Sequence, residues 1–399
     1  MSFSRSKSAG SVLARSPPIL ERIFSYLDGR DLDSCTMVCT SWKTMTEIEK
    51  KRRKEFRLFF EAPHGRNVES LTGASCSVVF DQYVNIEDDF RKQLMNIRTH
   101  PYFCFLFVTS NTVDNFTKLF PSFTYPRPLF KKSRPDGVVA RRNYLKAVTQ
   151  TTVKQHLPVN CDVALSVSSG IIGWRQGDSP LDVESGAGIT GLILPKIPGL
   201  SIHRFAVDGQ HWKITEKIPR NTPIKCLLLF LTYRGTDIID KIIQSCLHRE
   251  GCRLAIGGTI TDRTESLLGT VVAFCGPNIE AASVILKPDD KKPDVERKLQ
   301  RFTDSGLLKN KCIAFMFACV ARGRHYYRES NVESSIFNRL YPNVPLIGTF
   351  GNGEIGHNFL PHLPTVHKFQ QKAFIRPRCT KKFLHSYTTV FVMVSFKMN

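Results

Sequence analysis

No stretch of this chain stays apolar for the roughly 18 residues that a spanning helix requires, and no membrane partner is expected. The opening "MSFSRSKSAG" is polar, and no apolar segment with a small-residue cleavage site follows it. Cytoplasm and nucleus are therefore the expected compartments. The twelve cysteines lack the pairing that zinc or a disulfide framework would need. The nearest two, Cys35 and Cys39, have no second pair and no neighbouring histidine to complete a tetrahedral site. Most of the others sit inside apolar runs such as "FCFLFV" and "KCIAFMFACV", where a thiol behaves as a small hydrophobe. No metal and no cofactor is expected.

Acid is also scarce. Asp and Glu number 35 against 56 Lys and Arg, a formal charge of +21. The base is concentrated in "EKKRRKEFR" (49–57), "KKSRPDGVVARRNYLK" (131–146) and "IRPRCTKK" (375–382). Phosphate backbones attract such clusters, but no zinc finger, helix-turn-helix or aromatic RNA-binding pattern places them in a groove. A solvated basic face that favours acidic protein partners is the reading adopted, and nucleic acid is not expected as a partner. "KKRRK" also matches a nuclear import signal, although it lies where a helix should end.

The chain has two textures. Residues 16–54 form a dense helical block in which Ser16 and Pro17 suit a helix start. Ile19, Leu20, Ile23, Phe24 and Leu27 then make one broad apolar stripe. "DGRD" breaks that helix, with Asp31 expected to cap the next, and Leu32, Cys35, Val38, Cys39 and Trp42 continue the apolar set. Some forty residues cannot enclose all these side chains in a private core, so part of the stripe is left for a partner. A hairpin packed on its own protein is the alternative, but it explains the periodicity and not this order of residue types.

The order "ILERIFSYL…RDL…VCTSW" resembles an F-box, the helical module that docks substrate receptors on the Skp-type adaptor of cullin-RING ubiquitin ligases. The resemblance implies no catalytic group here. It implies adaptor binding through Ile19, Leu20, Ile23, Phe24, Leu27, Leu32, Val38 and Trp42, some of which must instead form the module's own core.

Past residue 60, strand and helix signals alternate, and three stretches look like versions of one unit. The last runs "KCIAFMFACV", helix "NVESSIFNRLY", "VPLIGTF" and "YTTVFVMVSF". The middle one runs "CLLLFLTY", helix "DIIDKIIQSCLH", "RLAIGG", "GTVVAFCG" and "AASVILK". The first runs "YFCFLFVTS", a long insert, helix "RRNYLKAVTQTTVKQH" (141–156), "CDVALSVSSGIIG", "GITGLILP" and "SIHRFAV". Each helix has one apolar face and the strands are apolar on both. A layered sheet-and-helix body follows.

The stretch "VPLIGTFGNGEIG" carries Gly351, Gly353 and Gly356 in the G-x-G-x-x-G spacing of a dinucleotide loop. Such a loop must open a helix and be followed about twenty residues on by an acid. Here Pro361 and Pro364 interrupt any helix and the later segment is basic. The glycines read instead as turn residues where backbone approaches something closely.

The run "FMFACVARG…NVES…VPLIGTFGNGEIG…HSYTTVFVMV" resembles the C-terminal part of the FIST domain, a ligand-sensing module also found with F-boxes. The resemblance implies the substrate receptor of an SCF-type E3 ubiquitin ligase, whose FIST part holds an unidentified protein for ubiquitination. A small-ligand, amino-acid-like sensor is the alternative. The candidate substrate- or ligand-binding residues are Cys319, Arg322, Gly323, Gly351, Asn352, Gly353, Glu354 and His385, the last expected on the final strand. Arg322 and the helix start after it could hold an anionic group. Equally, Arg322 could pair with Glu354 as a structural ion pair. A half-buried core thiol is the favoured reading of Cys319 over a thiolate activated by His325 or His385.

The expected whole is an α+β chain: a small N-terminal all-helical F-box, then a layered mixed-sheet FIST-like body of repeated strand-helix-strand units. Its parts are a disordered 1–13, an F-box over 14–58, a FIST N-terminal-like region over 59–215 with a basic Pro-rich insert at 120–140, and a FIST C-terminal domain over 216–399.

Overall fold

A computed structural model describes residues 16–53, 56–61, 101–113, 157–158, 160–174, 180–208, 213–251, 253–361 and 383–397. The expected disordered start (1–13), the insert (120–140), the helix over 141–156 and the basic clusters at 131–146 and 375–382 lie outside the described residues.

Three helices come first: α1 (Pro17–Phe24), α2 (Gly29–Cys35) and α3 (Thr40–Arg52). Ser16 stands at the α1 N-cap with proline in the first turn, where the missing N–H costs nothing. The α2 cap differs from expectation. Asp28, not Asp31, accepts the Asp31 backbone N–H at 2.7 Å, because α2 begins at Gly29 and Asp31 already lies inside its first turn. At the other end of the module, Arg53 donates to the Phe24 and Leu27 carbonyls at 2.5 and 2.6 Å and to Glu49 at 2.8 Å. A cation there satisfies acceptors left open where α1 ends.

The body begins with β1 (Arg57–Glu61) and then three units. The first holds β2 (Pro101–Thr109), β3 (Asp162–Ser168), β4 (Gly170–Trp174), β5 (Pro180–Val183), β6 (Ile189–Pro195) and β7 (Ser201–Val207). The second holds β8 (Ile224–Leu231), helix α4 (Ile239–Glu250), β9 (Ala255–Ile260), β10 (Arg263–Thr264), β11 (Gly269–Cys275) and β12 (Ile279–Leu286). After helix α5 (Lys292–Asp304), the third holds β13 (Lys311–Cys319), helices α6 (Arg324–Tyr327) and α7 (Val332–Leu340), β14 (Leu346–Gly351), β15 (Glu354–Gly356), β16 (Leu384–His385) and β17 (Thr389–Phe396).

Strand pairing confirms that the units repeat. β2 runs parallel to β3, β8 to β9 and β13 to β14, and each first strand also takes an antiparallel neighbour from its own unit: β6, β11 and β17. Parallel neighbours need a crossover, which α4 and α7 supply in the second and third units. Edge strands are exchanged in a ring. β4 pairs with β14, β10 with β3 and β15 with β9, so each unit lends a strand to the one before it. β7 pairs with β11 and β12 with β17, so the first and second units also lend a strand forward. Beside β6 the forward-lent place is taken by β1.

The result is three sheets, ordered β1-β6-β2-β3-β10, β16-β15-β9-β8-β11-β7 and β12-β17-β13-β14-β4-β5. All three contribute to one central core in which rings from different sheets meet: Phe105 and Phe315 at 5.0 Å, Phe107 and Phe230 at 5.4 Å, Phe230 and Phe317 at 5.8 Å. Each such ring buries some 150–250 Å² and prefers this offset or edge-on contact. The outer face of the third sheet is covered by α5 and α7, and that of the second by α4, which explains strands apolar on both sides.

The fold adds one helix to the sequence reading, α5, whose Val295, Leu299 and Phe302 lie on one face and are buried. The 58/59 boundary falls inside β1. The 215/216 boundary falls in a 3-10 turn, Ile214–Lys217, yet β7 before it pairs with β11 after it. The α+β organisation itself stands: a helical front followed by layered mixed sheets with helices.

Candidate functional site

The helical front sorts its apolar residues into two sets. Leu20, Phe24, Leu32 and Cys35 form a small core against which Leu27, Trp42 and Met45 pack, with Trp42 edge-on to Phe24 at 5.3 Å. The rest stay outside: Ile19 is 50% exposed, Ile23 39% and Val38 59%. Tyr26 (68%), Met37 (83%) and Ile48 join them, three residues outside the expected adaptor-binding set. Of the eight residues expected at an adaptor surface, three are exposed, and Leu20, Phe24 and Leu32 are buried in the module's core.

The body candidates cluster where β13 and β14 end side by side, with Cys319 opposite Gly351. The Cys319 N–H donates to the Thr388 carbonyl at 3.0 Å, and Val320 N–H to Gly351 at 3.1 Å. Glu354 is fully buried. One of its carboxylate oxygens accepts the Thr388 N–H (3.0 Å) and hydroxyl (2.8 Å), and the Cys319 thiol is a further neighbour of the carboxyl. Burial pushes the Glu354 carboxyl up to about 7, against the pull of the Thr388 bonds. Burial and the neighbouring Glu354 charge likewise raise the Cys319 thiol. A thiolate nucleophile needs the opposite. His385 does not activate it: its Nε2 donates to the Gly356 carbonyl at 2.9 Å from β16, a short strand separate from the final β17.

Arg322 does not pair with Glu354. Its Nε donates to Glu333 at 2.8 Å, one Nη to the Lys287 carbonyl at 2.6 Å and the other to the Tyr327 hydroxyl at 2.6 Å, with the rings of Tyr326 and Tyr327 against the guanidinium. Glu333, in the first turn of α7, is the nearer acid because Arg322 turns away from β15 towards that helix. The backbone after Gly323 is occupied as well. Both oxygens of Glu184 accept the Arg324 N–H at 2.8 Å, where a side chain on residue 323 would collide with that carboxylate. The anion expected at this helix start is thus supplied by the chain itself. Burial, with the Glu184 and Glu333 charges behind it, pushes nearby Asp182 up to about 7 despite a bond from Ser334. Asn352 is the exposed member of the set, and its amide donates to Asp262 at 3.2 Å.

The three glycines of the fingerprint serve packing. A β-carbon on Gly351 would meet Thr259 and lie 2.7 Å from the Ile260 carbonyl, and one on Gly356 would lie 2.7 Å from Val390. Gly353 has φ +143°, which other residues rarely adopt. Among the described residues, no group of three or more His, Cys, Asp or Glu is placed to hold a metal, and no helix is long and apolar enough to cross a membrane.

Two family patterns match: F-box-like over residues 17–50 and FIST C domain over residues 268–357. The first covers the module with the divided apolar set, and the second runs from β11 to the Glu354 turn. The chain thus carries an F-box-like module followed by a FIST C domain. F-box only protein 22 from Homo sapiens and its Pongo abelii counterpart are each 27% identical over 280 residues, spanning 62% of this chain and 66% of each relative. The chain is similar to these relatives along that span, and the two matched patterns support the same kinship. A solved structure described as cyanuric acid hydrolase aligns over 86% of this chain and all of its own, at 9% identity and a TM-score of 0.28, too low to carry an argument.

Proposed function

We propose that this protein is the substrate receptor of an SCF-type ubiquitin ligase, acting in cytoplasm and nucleus: the F-box docks a Skp-type adaptor and the FIST body recruits the protein to be ubiquitinated. The observation that supports this most is the division within the helical front. A four-residue core leaves Ile19, Ile23, Val38, Tyr26 and Met37 turned outward, an apolar surface that a monomeric module does not need. Such a receptor works by proximity, raising the effective concentration of substrate lysines near the charged ubiquitin enzyme. No catalytic residue is assigned to it. In the body, substrate contact falls to the rim around exposed Asn352 and Tyr387, since Arg322 and Glu354 are buried.

The test is adaptor binding by purified full-length protein carrying Ile23→Asp and Val38→Asp, with Phe24 retained because it holds the module's core. The expected result is an adaptor affinity reduced by roughly a hundred-fold or more, as for central interface residues, at an unchanged melting midpoint. Wild-type affinity in that variant would remove the receptor assignment. The sensor alternative gains no support from Arg322, whose donors are already engaged within the chain.

A further inference from the structure

An exposed basic and aromatic patch is built around the buried Arg322 guanidinium. One Nη reaches the carbonyls of both Lys287 and Tyr387, at 2.6 and 3.4 Å, which sets the end of β12 beside the turn that leads into β17. The guanidinium carbon lies 4.8 Å from the centre of the Tyr326 ring, and the Lys291 ammonium stands over the same ring at 4.2 Å. The Tyr326 hydroxyl donates to the Asp290 carbonyl at 3.1 Å, and Lys292 pairs with Glu329. The start of α5 is thereby fastened to α6 and the residues just after it. Lys287, Lys291, Lys292, Arg324 and Arg328 are exposed there, against exposed Asp289 and Glu329. We propose that this patch is the docking surface for an acidic peptide segment of a partner protein.

Charge comes first. Among the described residues, no carboxylate pairs with the side chains of Lys287, Lys291 or Arg328. Cations gathered without counter-charges repel one another, and the carboxylates of a partner relieve that repulsion. Backbone shape adds a second reason. Arg328 and Tyr387 both have φ +59°, a left-handed conformation that favours glycine. The chain nevertheless keeps a large exposed side chain at each, with Tyr387 62% exposed. Burial does not account for that choice, and Tyr and Arg are the residue types that dominate binding at protein interfaces. Asp289 and Glu329 argue against nucleic acid. A backbone with a phosphate at every step would set charge against both carboxylates. A peptide can place its acids over the cations and pass neutral residues by the two acids.

That the segment belongs to a protein brought for ubiquitination rests on the receptor reading; the docking itself does not. Peptide and adaptor binding are therefore measured separately on the full-length protein. The probe is a fluorescein-labelled octaglutamate peptide, read by anisotropy at low salt beside octaglutamine. Octaglutamate should bind and octaglutamine should not. Lys287→Gln combined with Arg328→Gly should weaken that binding by roughly ten-fold or more. Its melting midpoint should not fall below wild type, because glycine relaxes the backbone at 328. Lys217→Gln combined with Lys309→Gln removes the same charge from exposed positions elsewhere and should change binding by less than about two-fold. Adaptor affinity should hold at the wild-type value in both, which keeps this test apart from that of the receptor reading. Equal losses in the two double variants would reduce the binding to net charge and overturn the site, as would absence of octaglutamate binding. Tighter binding of an oligothymidylate of equal charge, lost in the Lys287→Gln, Arg328→Gly protein, would overturn the peptide assignment.

Discussion

Arg322 and Glu333 meet at 2.7 Å with side chains 2% and 3% exposed, tying the end of β13 to the first turn of α7. The guanidinium is nearly saturated: Lys287 and Tyr387 carbonyls and the Tyr327 hydroxyl take its remaining donors. Two charges so far from water carry a large desolvation cost that their attraction only roughly offsets. The pair therefore specifies the geometry of this corner more than it adds stability.

Removing one partner exposes that cost. Arg322→Met and Glu333→Gln should each destabilise the protein by about 3–5 kcal/mol, because a buried charge is left uncompensated. The double variant should lose less than the sum. Urea denaturation of the four species checks this, and single variants within about 0.5 kcal/mol of wild type would contradict it.

Glu354 and Asp182 set an unusual pH dependence. Their ordinary values of 4.5 and 3.8 are both raised to about 7 in the folded chain. Between those limits the folded state binds protons that the unfolded state has released, so these groups favour folding less as pH rises from about 4 to about 7. For the fully buried Glu354 the slope is at most about 1.4 kcal/mol per pH unit. Glu354→Gln keeps an acceptor for Thr388 and should flatten the stability profile over that window, and Asp182→Asn should do so as well. Parallel profiles for wild type and Glu354→Gln between pH 5 and pH 7 would reject this assignment.

Phe24 and Ile23 are neighbours in sequence and opposites in role. Phe24→Ala should cost about 3–5 kcal/mol of F-box stability, seen as lost protection in α1 and α3. Ile23→Ala should stay within about 0.5 kcal/mol. Equal losses at both positions would refute the division between core and open face.

That division marks the limit of what the sequence conveyed. Helical spacing placed Leu20, Phe24, Ile23 and Val38 in one apolar set, but a stripe wider than the small core can absorb does not say which members are covered. The repeated units were legible because their central strands are apolar on both faces. The strand exchange was not, since β10, β15 and β16 are only two or three residues long and carry no period. Helix α5 gives a weak sequence signal because its buried residues, Val295, Leu299 and Phe302, are spaced among charges. At the site, the expected adjacency of two strand ends suggests Arg322 with Glu354, whereas α7 brings Glu333 to the guanidinium and the first unit brings Glu184 to the same corner. A carboxylate as distant in the chain as Glu184 leaves no local signal.

The glycine fingerprint yields the last prediction. If Gly351 exists for close approach to β9 rather than for a pyrophosphate, the damage from a methyl group there is structural and local. Its β-carbon would press on the Thr259 hydroxyl, which donates to the Gly353 carbonyl at 3.1 Å, and on the Ile260 carbonyl, which accepts the Asn352 N–H at 3.0 Å. Thr259 can rotate only by giving up its bond, and the Ile260 carbonyl belongs to backbone that cannot yield. Gly351→Ala should therefore cost about 1–3 kcal/mol by overpacking. A β-carbon on Gly353 would come no nearer than 3.3 Å to any atom, a contact with the Ile260 side chain, but its φ of +143° makes backbone strain the main cost of Gly353→Ala. The two are distinguished in a Thr259→Ala background, which relieves part of the loss at Gly351 and none at Gly353. A Gly351→Ala protein as stable as wild type in urea would show that the β14–β9 approach is looser than the geometry requires.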